Sequence, residues 1–163
     1  MKTLVVYSSK TGNTKKLAEA ANNLISGEKF ICPVSEAPDP AGFDLVVMGF
    51  WLMAGKPDPQ SSDFLAAVGP TKLFLMATHG AAADSAHVRN AMEYARSLAA
   101  AAQIAGTFNC QGEVSPAFLE KAAQKDPQPP WIGDAPAAAG HPDASDIDRL
   151  AQALKSSLPQ FVA

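Results

Sequence analysis

A three-layer α/β sandwich around a five-stranded parallel sheet is the fold this 163-residue sequence predicts, and three observations carry it. Short apolar runs alternate with helical patterns along the chain. Three of those runs are near-continuous rather than alternating, and the first leads straight into a polar turn that opens a helix. Strands alternating with helices mean βαβ units with right-handed crossovers. Near-continuous apolar strands are those covered on both faces.

The elements follow in order. The first strand is TLVVY (3–7). After the turn comes NTKKLAEAANNLI, whose Leu17, Ala20, Ala21, Leu24 and Ile25 share one helical face, with Gly27 standing where a C-terminal cap would. EKFICPV (28–34) reads as a weaker second strand. FDLVVMGF (43–50) is the third, its regular part ending at Gly49. SSDFLAAV (61–68) is a short helix with polar start residues, and KLFLMAT (72–78) is the fourth strand. SAHVRNAMEYARSLAAAA (85–102) is a longer, Ala-rich helix capped by Ser85, followed by the fifth strand QIAGTFNCQG (103–112). SPAFLEKAAQ (115–124) is helical, whereas 125–145 is rich in Pro and Gly and should be irregular. SDIDRLAQALKSSL (145–158) closes the chain as a helix laid on the sheet through Ile147, Leu150, Ala151, Leu154 and Leu158. Residues 1–163 read as a single domain without internal repeats.

Composition narrows the function classes. A hydrophobic share of 47% with 18% charged residues argues against wholesale disorder. Net charge is −3 with no run of Lys and Arg, so nucleic acid and anionic membrane are not suggested as partners. The apolar run Leu4–Tyr7 is too short for a signal-peptide core, and no stretch approaches a membrane span. Cys32 and Cys110 form neither a disulfide framework nor a CxxC pair, and a cytoplasmic location is the simplest expectation.

The turn between the first strand and helix carries the chemistry. In YSSKTGNT (7–14), unpaired N–H groups and the helix dipole favour an anion beyond the carboxyl end of the strand. Gly12 permits close backbone approach or positive φ. Ser9, Thr11 and Thr14 bring hydroxyls, Asn13 an amide and Lys10 a charge able to neutralise phosphate. One glycine excludes a GxGxxG fingerprint, and GxxxxGK[ST] is missing. The missing acidic residues exclude a receiver-type Mg²⁺ site. The alternative is a hydroxyl-rich cap with no ligand.

Ser9, Thr11, Gly12 and Thr14 match the [ST]-x-T-G-x-T phosphate-loop signature of flavodoxins, at the correct place after the first strand. The sequence resembles that family over essentially its whole length, on the scale of short-chain members. The resemblance implies a flavodoxin-like sandwich with strand order 2-1-3-4-5 and non-covalently bound FMN. It places the flavin ring between the loops after the third and fourth strands. On that pattern Trp51 (or Met53) covers one ring face, Leu52 adds to an apolar slot, and the backbone near Ala54 and Gly55 reaches flavin N5. Thr78, His79 and Gly80 would occupy the turn at the pyrimidine edge, with His79 a candidate for a titrating charge. The sequence departs from the pattern in lacking an aromatic residue in this second loop. Either the second face is open to a partner, or Trp131 folds back to cover it. Lys56, Asp58, Asp63, Asp84 and Arg89 nearly cancel, which implies a less negative second reduction potential than in strongly acidic members.

No carboxylate dyad or Cys–His pair offers chemistry of the protein's own. The function expected is electron transfer between redox partner proteins, as a carrier or reductase accessory more than a stand-alone enzyme. The alternatives are an FMN-dependent quinone or other small-molecule reductase, and a flavin-free phosphate-binding module on the same scaffold. The ribonucleotide-reductase flavodoxins share SSKTGNT-like text, but their glycine-rich second loop and Asn-x-x-Phe-Gly third loop are missing here.

Overall fold

The structure is a computed structural model and describes residues 1–163. Five parallel strands form the sheet: β1 (Lys2–Tyr7), β2 (Glu28–Pro33), β3 (Leu45–Met53), β5 (Lys72–His79) and β6 (Gln103–Gln111). Their order is β2-β1-β3-β5-β6, the expected 2-1-3-4-5 arrangement of parallel strands. A two-residue strand, β4 (Lys56–Pro57), pairs antiparallel with the end of β3.

Period-two alternation within the strands builds two separate cores. Leu4, Val6, Val46, Met48, Leu73, Leu75 and Ala77 face α2 (Pro59–Ala67) and α3 (Ala86–Leu98). Val5, Leu45, Val47, Phe74, Met76, Phe108 and Cys110 face α1 (Asn13–Leu24) and α5 (Ala144–Ser157). Both faces of a central strand therefore meet apolar layers, which is why the runs read as nearly continuous. Full burial stabilises each Val, Leu, Met or Phe side chain among them by about 1.5–3 kcal/mol. Leu150, Leu154 and Leu158 seat α5 as its stripe implied, all fully buried.

Several boundaries differ from the sequence reading, each for a local reason. Strand β3 continues past Gly49 to Met53, because Phe50 enters the core and Trp51 still pairs with Thr78. It then folds back through Ala54 (φ 50) and Gly55 (φ 76), the two positive φ values of a tight type I′-like hairpin. Helix α1 stops at Leu24, as Ile25 turns extended to bury its side chain, so Gly27 is not its cap. Gly27 instead takes φ 87 at the entry to β2, where a Cβ would lie 2.8 Å from the Met1 carbonyl. Asp58 caps α2 one residue before Pro59, and Asp143 caps α5 in a reciprocal capping box with Asp146. Helix α3 ends at Leu98 despite the alanines that follow, since Ala99 closes its last turn and Ala102 bends into β6. The 125–145 segment is irregular apart from one 3₁₀ turn at Ala135–Ala138 and its last two residues, which already belong to α5.

Candidate cofactor site at the carboxyl ends of the strands

The parallel sheet brings the ends of β1, β3, β5 and β6 to one edge. Tyr7 gives way there to the polar turn, and Gly12 takes φ 97, ψ −10 as the N-cap of α1. A Cβ at Gly12 would meet nothing within 4 Å, so glycine is required there by the backbone angle and not by space. Asp58, Ser85, Ser115 and Asp143 each cap a helix with a side-chain acceptor: α2, α3, α4 (Pro116–Ala123) and α5 respectively. Gly12 provides no such acceptor to α1. The first N–H groups of α1 are thus left to an outside partner, beside the exposed Thr11 and half-buried Ser9. The Ser9 hydroxyl accepts the Gly12 N–H at 3.1 Å and so shapes the turn.

Three tethers fix this turn to its neighbours. The Ser8 hydroxyl donates to Asp58 at 2.7 Å, and the same buried carboxylate accepts the Ser61 hydroxyl (2.7 Å) and N–H (3.3 Å). The Thr14 and Thr78 hydroxyls share a buried hydrogen bond of 2.8 Å, joining the first turn of α1 to the end of β5. Asn13 donates from its amide to the Glu113 carbonyl at 3.0 Å, beneath Gly112, where a Cβ would come within 2.7 Å of that amide. Of the expected cradle, then, Ser9, Lys10, Thr11 and Gly12 face outward, whereas Thr14 is turned inward and Asn13 serves as a strut.

The two ring loops are assembled differently from expectation. Trp51, Leu52 and Met53 belong to β3, and Ala54 and Gly55 form the hairpin tip. A Cβ at Gly55 would meet His87 Cε1 at 3.2 Å, so the first turn of α3 supports that tip. Trp51 is half-buried, and Lys10 extends over it with Nζ 5.5 Å from the ring centroid. Thr78 and His79 are still strand residues, and only Gly80 opens the turn.

The titrating charge expected of His79 is not available to a ligand. Its ring is buried, with Nδ1 3.0 Å from the Ala81 carbonyl and Nε2 2.9 Å from the Asn109 side chain. Both ring nitrogens face oxygen acceptors, the Ala81 carbonyl and Asn109 Oδ1, and a neutral imidazole donates to one of them at a time. Burial holds the His79 pKa below its ordinary value, against the smaller upward pull of these hydrogen bonds. His79 ties β5 to β6 in its neutral form. Cys110 is fully buried, and burial pushes its thiol up to about 12, so it is inert at neutral pH.

Trp131 does fold back to this edge. It lies over Gly80, where a Cβ would come within 3.2 Å of its ring, and stacks on Phe118 of α4 with centroids 5.8 Å apart at 11°. Phe118 in turn receives Lys10 Nζ at 5.7 Å from its centroid. Sequence reading counted Asp58 only as a loop charge and did not single out Phe118. The Asp-Pro pair at 58–59 does signal a helix start, but its reach to Ser8 depends on the hairpin.

Residues 4–155 match the flavodoxin domain family. A flavodoxin-like domain-containing protein BilS of Clostridioides difficile (strain CD3) is 34% identical over 126 residues, covering 74% of this chain and 72% of that protein. Among solved structures, the flavodoxin of Streptococcus pneumonia TIGR4 superposes with a TM-score of 0.65 at 11% identity, over 98% of this chain and 99% of its own. A flavoprotein from Lactobacillus acidophilus NCFM, solved in complex with FMN, gives 0.53 at 16% identity, over 76% and 99%. At these identities the two structures speak for the fold.

Proposed function

The chain belongs to the flavodoxin domain family, and from that premise we propose that it binds FMN non-covalently and carries electrons between partner proteins in the cytoplasm. The observation that carries the reading is the uncapped N-terminus of α1 at the end of β1, set among Ser9, Thr11 and the φ 97 glycine. The donor set suits a phosphate monoester: outward N–H groups, two hydroxyls and the Lys10 ammonium. Trp51 offers a half-buried aromatic face to a planar ring, and the Ala54–Gly55 tip brings backbone groups beside it. A relative of the same fold is solved with FMN, which supports the same ligand here.

FMN, when bound, supplies one- and two-electron transfer. The chain's own residues bind and orient it. The first turn of α1, with Ser9 and Thr11, holds the phosphate, and the tethers from Asp58, Thr78 and Glu113 keep that turn in register with the ring loops. The hairpin at Met53–Lys56 follows directly on Trp51, and its Met53 is exposed for a partner to touch. No helix of the chain is long and apolar enough to cross a membrane.

The test is the visible spectrum after FMN is added and the excess removed by gel filtration. A stoichiometric flavin spectrum is expected, weakened at least tenfold in occupancy when Ser9→Ala and Thr11→Val are combined. Riboflavin, which lacks the phosphate, should bind far more weakly than FMN. A folded protein that stays colourless with FMN refutes the reading.

A further inference from the structure

Lys10 reaches from the phosphate turn towards two aromatic rings from distant parts of the sequence. Its ammonium stands 5.5 Å from the Trp51 centroid and 5.7 Å from that of Phe118. A single cation over both rings means that the two faces are turned towards a common volume. Trp51 is the residue that the β3 hairpin presents. Phe118 comes from α4, beyond β6, in the segment that follows the last strand of the sheet.

Phe118 is 44% exposed, yet its position is fixed from behind. Trp131 stacks on it at 11° and itself lies against Gly80, just past the end of β5. Ser115 caps α4 through the Phe118 N–H at 3.3 Å, so the residue stands in the first turn of a capped helix. An apolar ring held this way, nearly half in water, is not part of either core. It also lies beside the β5 turn, which contributes no aromatic residue of its own.

We propose that Phe118 is the second wall of the flavin-ring slot, opposite Trp51, with Trp131 as its backing. The proposal rests on FMN binding as argued above and adds the residue that covers the outer ring face. Lys10 makes its two cation–π contacts to these rings from the phosphate turn. Its long, exposed side chain swings out as the planar ring enters and leaves the ammonium near the phosphate turn from which it springs. The segment after β6 therefore completes the site, and the lack of an aromatic residue in the β5 turn is made good by a residue some forty positions later in the chain.

The experiment measures the affinity of FMN and of riboflavin for the full chain and for Phe118→Ala, Phe118→Leu and Phe118→Trp. A wall that touches only the ring contributes equally to both ligands. Phe118→Ala should weaken FMN and riboflavin by the same factor, about tenfold, and Phe118→Leu by nearly as much. Phe118→Trp should retain wild-type affinity and quench more of the bound flavin fluorescence. Phe118 packs into neither core, so thermal melts of the variants should match the wild type, and Phe118→Trp covers the case of an unstable Phe118→Ala. If wild type binds neither ligand, the FMN reading itself fails. If wild type binds and Phe118→Ala or Phe118→Leu binds within twofold of it, the wall is elsewhere. Loss for FMN alone, with riboflavin unchanged, likewise overturns the assignment.

Discussion

Replacing Thr14 by Val tests whether the first turn of α1 is pinned to the sheet by one buried hydrogen bond. The Thr14 and Thr78 hydroxyls lie 2.8 Å apart, and both residues are buried, with 1% and 3% of their surface exposed. Valine keeps the shape of threonine and removes the hydroxyl. In the single variant the surviving Thr78 hydroxyl is left without its partner, at a cost of about 1–3 kcal/mol. Taking about 2 kcal/mol, the melting temperature of a chain of this size should fall by about 4–8 °C. Thr78→Val should cost about the same. When both hydroxyls are removed together, no polar group remains to be satisfied, and the double variant should lie within about 1 kcal/mol of wild type. Independent effects would sum to about 4 kcal/mol, so the coupling expected is about 3 kcal/mol, at the upper end for contacting residues. Urea unfolding followed by far-UV circular dichroism, with a constant m value, measures all four corners of the cycle. A double variant equal to the sum of the singles within about 0.5 kcal/mol would refute the shared bond.

Other outcomes follow from single features. Asp58→Ala removes the α2 cap and strands the Ser8 hydroxyl, and should cost about 2–4 kcal/mol in urea unfolding, whereas an effect under about 1 kcal/mol would deny the tether. Gly80→Ala places a methyl 2.8 Å from Val114 Cγ2 and 3.2 Å from Trp131. It should cost about 1–3 kcal/mol and red-shift Trp131 emission in a Trp51→Phe background, while an unchanged spectrum would mean that Trp131 does not rest there. His79 is held neutral by burial, so the unfolded chain binds the extra proton. Its contribution to stability is complete above the unfolded value near 6.5 and is lost as pH falls towards the depressed folded value. His79→Gln should flatten the decline in melting temperature between about pH 7 and pH 5, and an unaltered slope would contradict this. Burial raises the Asp146 pKa, but the Asp143 N–H, His141 and Arg149 together outweigh it and hold the carboxyl below its ordinary value. A second loss of stability should therefore begin only as pH falls below about 4 and be reduced in Asp146→Asn.

How much was legible depended on whether the signal was local. The strands around Val5, Val47 and Leu75 could be read from composition alone, because burial on both faces leaves no room for polar residues. Gly12 and its hydroxyl neighbours were legible as an anion site, since a strand, a polar turn and a helix start are encoded within a few residues. Boundaries set by tertiary contact were not. Met53 rather than Gly49 ends β3 because a neighbouring strand and a hairpin partner hold it there. Helix α3 stops short of its alanine run because the chain must turn back into the sheet at Gln103.

The sequence by itself determined the βαβ order, the two-sided cores and the place where a phosphate would sit, all consequences of periodicity and of helix-end electrostatics. Only the tertiary structure decided which side chains of that turn remain free. It directs Thr14 into the sheet and Asn13 to Glu113, and leaves Ser9, Lys10 and Thr11 outward. It neutralises His79 by burial, and it sets Phe118 and Trp51, 67 positions apart in the chain, around one lysine. Contacts across that separation follow from packing helices and loops on a sheet, and no local pattern in the chain encodes them.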